Sequence, residues 1–398
     1  MNISKRSSNI KTSPVRKLIP YQEKAIKAGK KVYHFNIGQP DLPTPPEFFE
    51  FIANSEERTL KYAHSKGNLG LRKAISNFYK ENFDLNFSEE EVLITSGGSE
   101  ALLFVLTAIF DVGDEILISE PYYANYNSFF DMLQIKVNAF SAKAEDGFHL
   151  PPKEEILAKL TPNTKAILLT NPGNPTGTVY TEEELKIIGD IAKENNIYVI
   201  SDEVYRLLSY DNRIATSMGS FPEYEENTVI IESISKTYSA CGARIGAVVS
   251  KNKEFMTEVY KLCQARLSVS SLDMIGAEGL YNTLKKDYFD KNRAIYERRR
   301  DVIYSGLLNI EGVKVAKPEG AFYVMVSLPV DDSEKFAIWL LEHFDYEGET
   351  VMLTPAQGFY KTPDAGKQQV RISYCIEEDK IKKALVILEK GLKEYNKL

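Results

Sequence analysis

Short apolar runs alternate with helical patterns over the first two-thirds of the chain. Residues 91–95, 115–119, 165–170, 197–201, 229–231 and 245–249 read as buried strands, each rich in Val, Ile or Leu and bounded by polar turns. Helical periodicity fills the intervals at 71–83 and 101–110, and another helix opens near 121–126. A further helix starts at Thr181, where Glu184 completes a capping box. Strands apolar on both faces and separated by helices predict an α/β unit with a mostly parallel sheet between helical layers.

Elsewhere the texture differs. Residues 14–29 carry a helical pattern with proline at one end and glycine at the other, and the proline-rich stretch 35–45 reads as an ordered loop. From about residue 285 a long charged helix (287–308) leads to short strands near 313–315 and 322–326, a helix over 334–344 and an amphipathic helix over 377–395. The predicted organisation is therefore an N-terminal arm (1–45) belonging to a small domain, a large domain (46–285) and a small C-terminal α+β domain (286–398).

In open parallel sheets, ligands bind beyond the carboxyl ends of the strands. Three candidates fall there, and a fourth lies in a loop between two strands. Ser96-Gly97-Gly98-Ser99 joins a strand to a helix N-terminus, which makes it either an anion site or a plain tight turn. The loop Asn171-Pro172-Gly173-Asn174-Pro175-Thr176-Gly177 is fixed by its prolines and would hold the Asn174 amide rigidly. Asp202 ends an apolar strand, where a carboxylate needs a partner such as a protonated ring nitrogen, and Tyr205 follows three residues later. Lys236 lies in a loop between strands with Ser233 before it and Arg244 eight positions on, a setting that suits an imine-forming lysine and a phosphate-holding arginine, or a solvated loop lysine. On the alternating strand 369–374, Arg371 is either a surface residue or a bidentate carboxylate clamp.

Composition narrows the classes. The 398 residues carry 56 acidic and 49 basic side chains, a net charge of −7, with no basic face of the kind nucleic acid requires. Three scattered cysteines argue against a disulfide framework, and four histidines show no metal-ligand spacing. No apolar run approaches the roughly 20 residues of a membrane span, and no signal-peptide pattern opens the chain. A cytoplasmic protein is the expectation.

Asn-Pro-Gly-Asn-Pro-Thr-Gly at 171–177, Asp-Glu-Val-Tyr at 202–205, Ser-Ile-Ser-Lys…Gly-Ala-Arg-Ile-Gly at 233–246 and Arg-Ile-Ser at 371–373 together resemble the class I and II aminotransferases. Gly-Gln-Pro-Asp at 38–41, with Gln in place of the family's Glu, and Gly-Ala-Phe-Tyr at 320–323 agree. The resemblance spans roughly residues 14–395. It implies a fold type I enzyme with a seven-stranded sheet, dependent on pyridoxal 5′-phosphate, that moves an amino group from an L-amino acid to a 2-oxo acid by a ping-pong route. It further implies Lys236 as the cofactor-bound lysine and proton shuttle, Asp202 as the partner of the pyridine nitrogen, and Asn174 and Tyr205 as donors to the ring oxygen. Gly98, Ser99, Ser233 and Arg244 match phosphate contacts, Tyr123 the ring-stacking aromatic, and Arg371 with the Gly38 backbone the grip on the substrate's α-carboxylate. Tyr62, which read alone is a core aromatic or a hydroxyl placed at a phosphate, resembles a tyrosine that reaches a partner's site, implying a homodimer. Arg266 is either a surface arginine or, as in one aspartate-specific subgroup, a partner-subunit hand for a distal carboxylate. Aspartate with 2-oxoglutarate is the expected pair. A broad or aromatic aminotransferase and a carbon–sulfur lyase of the same fold are the alternatives.

Overall fold

The computed structural model describes residues 1–10 and 13–398, so Lys11 and Thr12 of the expected arm lie outside the described residues. A seven-stranded sheet occupies the middle of the chain. Its spatial order is Val92–Thr95, Gly246–Val249, Thr228–Ser233, Tyr198–Asp202, Thr164–Thr170, Glu115–Glu120, Lys136–Ser141. All neighbours run parallel except Gly246–Val249, which is antiparallel to both of its partners. Strands such as Thr164–Thr170 and Thr228–Ser233 are buried on both faces, which is why their sequences are continuous apolar runs, whereas the edge strand Lys136–Ser141 is largely half-buried or exposed.

The register brings the carboxyl ends into line. Thr170 pairs with Asp202, and Asp202 with Ile231, two residues before Ser233. The expected cap holds the helix Glu182–Glu194: the Thr181 hydroxyl accepts from Glu184 N while the Glu184 carboxylate accepts from Thr181 N.

A second unit has a four-stranded antiparallel sheet in the order Thr354–Pro355, Gln369–Ser373, Tyr323–Ser327, Lys314–Val315, covered by the helices Lys286–Leu308, Ser333–Glu342 and Glu378–Tyr395. The N-terminal strand Lys31–His34 pairs in parallel with Glu349–Met352, and the helix Ile19–Lys27 packs on Ser333–Glu342. Side-chain ties cross between segments distant in sequence. Arg299 forks onto Asp41 at 2.6 and 2.9 Å. His149 lies between Glu184 at 2.9 Å and Glu319 at 3.2 Å, and these carboxylates push its pKa up to about 10, so it is cationic at neutral pH.

Three boundaries differ from the expectation. The arm's helix is shorter, Ile19–Lys27, because Pro20 suits only a first turn. The helix expected from residue 101 begins at Gly97, so the glycine turn is itself helical. Ile234–Thr237 is a helical turn rather than a loop, with the Ser233 hydroxyl accepting from Ser235 N as its cap.

Candidate active site

A cavity of about 650 Å³ opens where the carboxyl ends of the central strands meet the second unit and the N-terminal arm. Asp202 and Lys236 line it from the central sheet's edge, Asn174 and Tyr205 from the neighbouring loops, and Arg371 from the C-terminal sheet. Gly38, Gly98, Ser99, Tyr123, Ser233 and Arg244 also face it. Residues spread over more than 330 positions of sequence thus share one space.

Lys236 rises from the capped turn Ile234–Thr237. Its Nζ donates to Gly38 O at 2.8 Å and stands 3.8 Å from Cys241 Sγ. Among the described residues no carboxylate pairs with it, so its amine faces the cavity held only by neutral acceptors.

Asp202 sits deep at the end of its strand. Tyr126 donates to Oδ2 at 2.6 Å and Val204 N reaches Oδ1 at 3.4 Å. Desolvation outweighs these neutral donors and lifts the carboxyl pKa to about 6. Among the described residues no cation bonds to the carboxylate directly. Since the folded-state pKa stands above the ordinary 3.8, ionised Asp202 costs stability above pH 6, and the cost fades as pH falls toward 4. Asp202→Asn is therefore expected to stabilise the cofactor-free protein at pH 8 by about 1–3 kcal/mol, with the difference vanishing near pH 4, while weakening cofactor binding. Thermal unfolding of both proteins across that range checks this; a difference independent of pH would refute it.

Arg371 is 2% exposed. Its Nη2 donates to Asn36 O at 2.8 Å and its Nη1 to Asn174 Oδ1 at 3.2 Å, while the Tyr323 ring lies under the guanidinium at 4.4 Å. Its Nε is buried without a partner, and no described carboxylate balances its charge. A buried guanidinium in that state is a seat for an incoming anion.

The third corner is an anion cradle. The helix Gly97–Ile109 points its N-terminus at the cavity, and Gly97 adopts φ +77°. A Cβ there would collide with the Arg244 guanidinium, so glycine is what lets that arginine approach the helix end. Arg244 itself is left-handed at φ 54°, a conformation that persists only where the surroundings impose it.

With this geometry in view, residues 30–388 match the family Aminotransferase class I and II. The chain belongs to the class I and II aminotransferases. An aspartate aminotransferase of Pyrococcus horikoshii is 31% identical over 395 residues, covering 98% of this chain and 97% of the relative. A (5-formylfuran-3-yl)methyl phosphate transaminase of Methanocaldococcus jannaschii is 34% identical over 386 residues, covering 96% and 97%. The solved alanine aminotransferase of Pyrococcus furiosus superposes with a TM-score of 0.91 at 28% identity, covering 99% of this chain and all of that one. This is a fold type I enzyme dependent on pyridoxal 5′-phosphate, acting on amino acids and oxo acids.

The side chains of this aminotransferase fit that cofactor. The carboxylate of Asp202, which lines the cavity, suits a protonated ring nitrogen, the unpaired amine an aldehyde, and the helix end with Arg244 a phosphate. Tyr205 also fits: its hydroxyl lies 3.5 Å from Asn174 Nδ2 and 3.0 Å from the Tyr323 hydroxyl, and burial drives its pKa upward, keeping it a neutral donor.

Two expected site residues stand outside the cavity of their own chain. Tyr62 is 82% exposed. Arg266 is turned inward, its Nη2 donating to Ile94 O at 3.1 Å and Ser65 O at 3.4 Å, with Glu100 at 3.9 Å. Its Nε and Nη1 are buried without a hydrogen-bond partner among the described residues.

Tyr126, Tyr323 and Arg16 are among the lining residues that escaped the sequence reading. Tyr126 follows Tyr123 by three residues and opens the helix Tyr126–Leu133 beyond a strand's carboxyl end, and Tyr323 closes the Gly-Ala-Phe-Tyr motif. Those positions are the signals that could have found them. Arg16 has no such signal.

Proposed function

We propose that this aminotransferase moves the amino group of L-aspartate to 2-oxoglutarate with ping-pong kinetics, serving amino acid biosynthesis in the cytoplasm. The observation that carries the transaminase chemistry is one cavity holding, among the described residues, an unpaired lysine, a carboxylate without a cation and a buried arginine without a carboxylate. Aspartate is supported by the Pyrococcus horikoshii relative's printed activity and by the cationic character of the cavity.

Pyridoxal phosphate, when bound, supplies an electron sink for the negative charge left as a substrate's α-proton departs. The roles proposed for the chain follow from chemistry. Asp202 keeps the ring nitrogen charged. Asn174 and Tyr205 donate to the ring oxygen, and Tyr123 packs against the ring. Gly98, Ser99, Ser233 and Arg244 hold the phosphate. Arg371, with the Gly38 backbone, holds the α-carboxylate. Lys236 would anchor the cofactor, then take the α-proton and return it to the cofactor carbon, the capped turn Ile234–Thr237 holding the lysine on one face.

We assign the 1–45 arm and residues 286–398 to one small domain against a large domain over 46–285. A homodimer is proposed, with Tyr62 of the partner subunit completing the phosphate site. Phe49, Leu60, Tyr62 and Leu267 are each more than half exposed. They lie around the helix Ser271–Thr283, whose Ser271 bonds Lys61 O and on which Pro46–Ala53 packs, an apolar patch suited to burial by a second copy.

A half-reaction screen of the twenty amino acids, following the change in cofactor absorbance, tests the substrate. Aspartate and glutamate are expected to lead. Preference for alanine would instead match the activity for which the Pyrococcus furiosus structure is named. Release of pyruvate and ammonia from cystathionine without an oxo acid would point to a lyase.

A further inference from the structure

Among the described residues, four cationic side chains line the cavity, Arg16, Lys236, Arg244 and Arg371, against the single carboxylate of Asp202. The proposed chemistry uses three of them: Lys236 for the cofactor, Arg244 for its phosphate and Arg371 for the α-carboxylate. Arg16 is left over. Its neighbour Lys17 pairs with Glu334, whereas Arg16 has no ion-pair or side-chain hydrogen-bond partner among the described residues.

The backbone around Arg16 is anchored, not loose. Arg16 N and Lys17 N both donate to Ser13 O, at 2.9 and 3.0 Å. Leu18 is 1% exposed in the core, and Pro14 packs on Gly358 so closely that no Cβ would fit there. These pins on either side aim the Arg16 side chain at the cavity beside Ser13 and Asn125. Tyr123, across the same space, lies in the fields of both Arg16 and Arg371.

We infer that Arg16 binds the distal carboxylate of a dicarboxylic substrate while Arg371 holds the α-carboxylate. This rests on the proposed aspartate reading and moves the selecting charge from Arg266, which is tied to the backbone of residues 65 and 94, to the arm. A guanidinium is suited to the task because its fork matches a carboxylate. Arg16 is largely exposed, so water screens the pair and its effect should be moderate.

The test uses the holoenzyme and two unreactive probes of matched length, succinate and butyrate, titrated by calorimetry. Wild type is expected to bind succinate the more tightly. Arg16→Ala should weaken succinate by about 10–100-fold and butyrate by less than about twofold, with the aspartate-to-alanine ratio of kcat/KM falling in parallel. Arg16→Lys should restore part of the preference. If wild type itself fails to favour succinate, the dicarboxylate reading falls. If wild type favours succinate and Arg16→Ala does so undiminished, only the role of Arg16 is overturned. Equal losses for both probes, or a weakened hold on pyridoxal phosphate, would also overturn it, by assigning Arg16 to the cofactor or to the arm's shape.

Discussion

Replacing Lys236 by alanine is expected to slow transamination on the order of 10⁴-fold or more. Among the described residues it is the only lysine lining the cavity. No other amine there could inherit the transfer of the α-proton, and general acid–base catalysis alone is commonly worth about 10²–10⁴-fold. Loss of the cofactor's anchor adds to that. Lys236→Arg should fare little better, since a guanidinium neither forms the covalent link nor gives up its proton at working pH. The kinetic readout is a single turnover of aspartate by cofactor-loaded protein. A second readout is independent of rate: borohydride reduction followed by peptide mass spectrometry should place the cofactor on the peptide bearing Lys236 in wild type and nowhere in the variant. Activity within tenfold of wild type, or an adduct on another lysine, would remove the assignment and the proposed mechanism with it.

The largest effect on stability is expected at Arg206. Its side chain is 3% exposed and lies between Glu203 at 2.8 Å and Glu232 at 3.2 Å, whose own side chains are 1% and 5% exposed. Tyr79 donates to Glu232 at 3.0 Å, and the Arg206 guanidinium lies 4.5 Å from the Tyr79 ring centre and 4.0 Å from that of Phe83. Glu203 also accepts from the hydroxyls of Ser201 and Ser217 and from Met218 N. Desolvation already raises the Glu232 pKa, with Arg206 acting against it. Arg206→Ala would leave two buried carboxylates with no cation, at a cost of about 3–5 kcal/mol. Arg206→Met combined with Glu203→Gln and Glu232→Gln should recover much of that loss, because the charges leave together. Equilibrium unfolding in urea distinguishes the cases; a loss below about 1 kcal/mol for the single variant would mean that water reaches the cluster. Glu203 adjoins Asp202, and Glu232 adjoins Ser233, so the same network braces both sides of the cofactor site.

Much of the fold was legible because its signals are local. Buried parallel strands must be apolar on both faces, and their runs stand out without any knowledge of what they pack against. The capping box at Thr181 and Glu184 is likewise complete within four residues. The proline-rich loop at 171–177 and Asp202 at a strand's end could be read as chemistry from their neighbours alone. The misplaced boundaries arose where local preference is ambiguous. Gly97 is a poor helix former, yet it opens a helix because its positive φ and missing Cβ admit Arg244, which lies nearly 150 positions later. Lys236 proved helical because the Ser233 hydroxyl caps its turn.

The chain by itself determined the layered α/β plan, the family and most of the charged groups gathered at the sheet's edge, since each depends on residue type and on neighbours a few positions away. Tertiary structure decided which way the arginines point. Arg266 is drawn onto the backbone carbonyls of Ile94 and Ser65, Arg206 is sealed between two glutamates, and Arg16 is delivered to the cavity by an arm pinned at Pro14 and Leu18. The physical reason is that a long cationic side chain finds its partner across space, and the free energy of each pairing depends on burial and on competing acceptors that only the folded chain assembles.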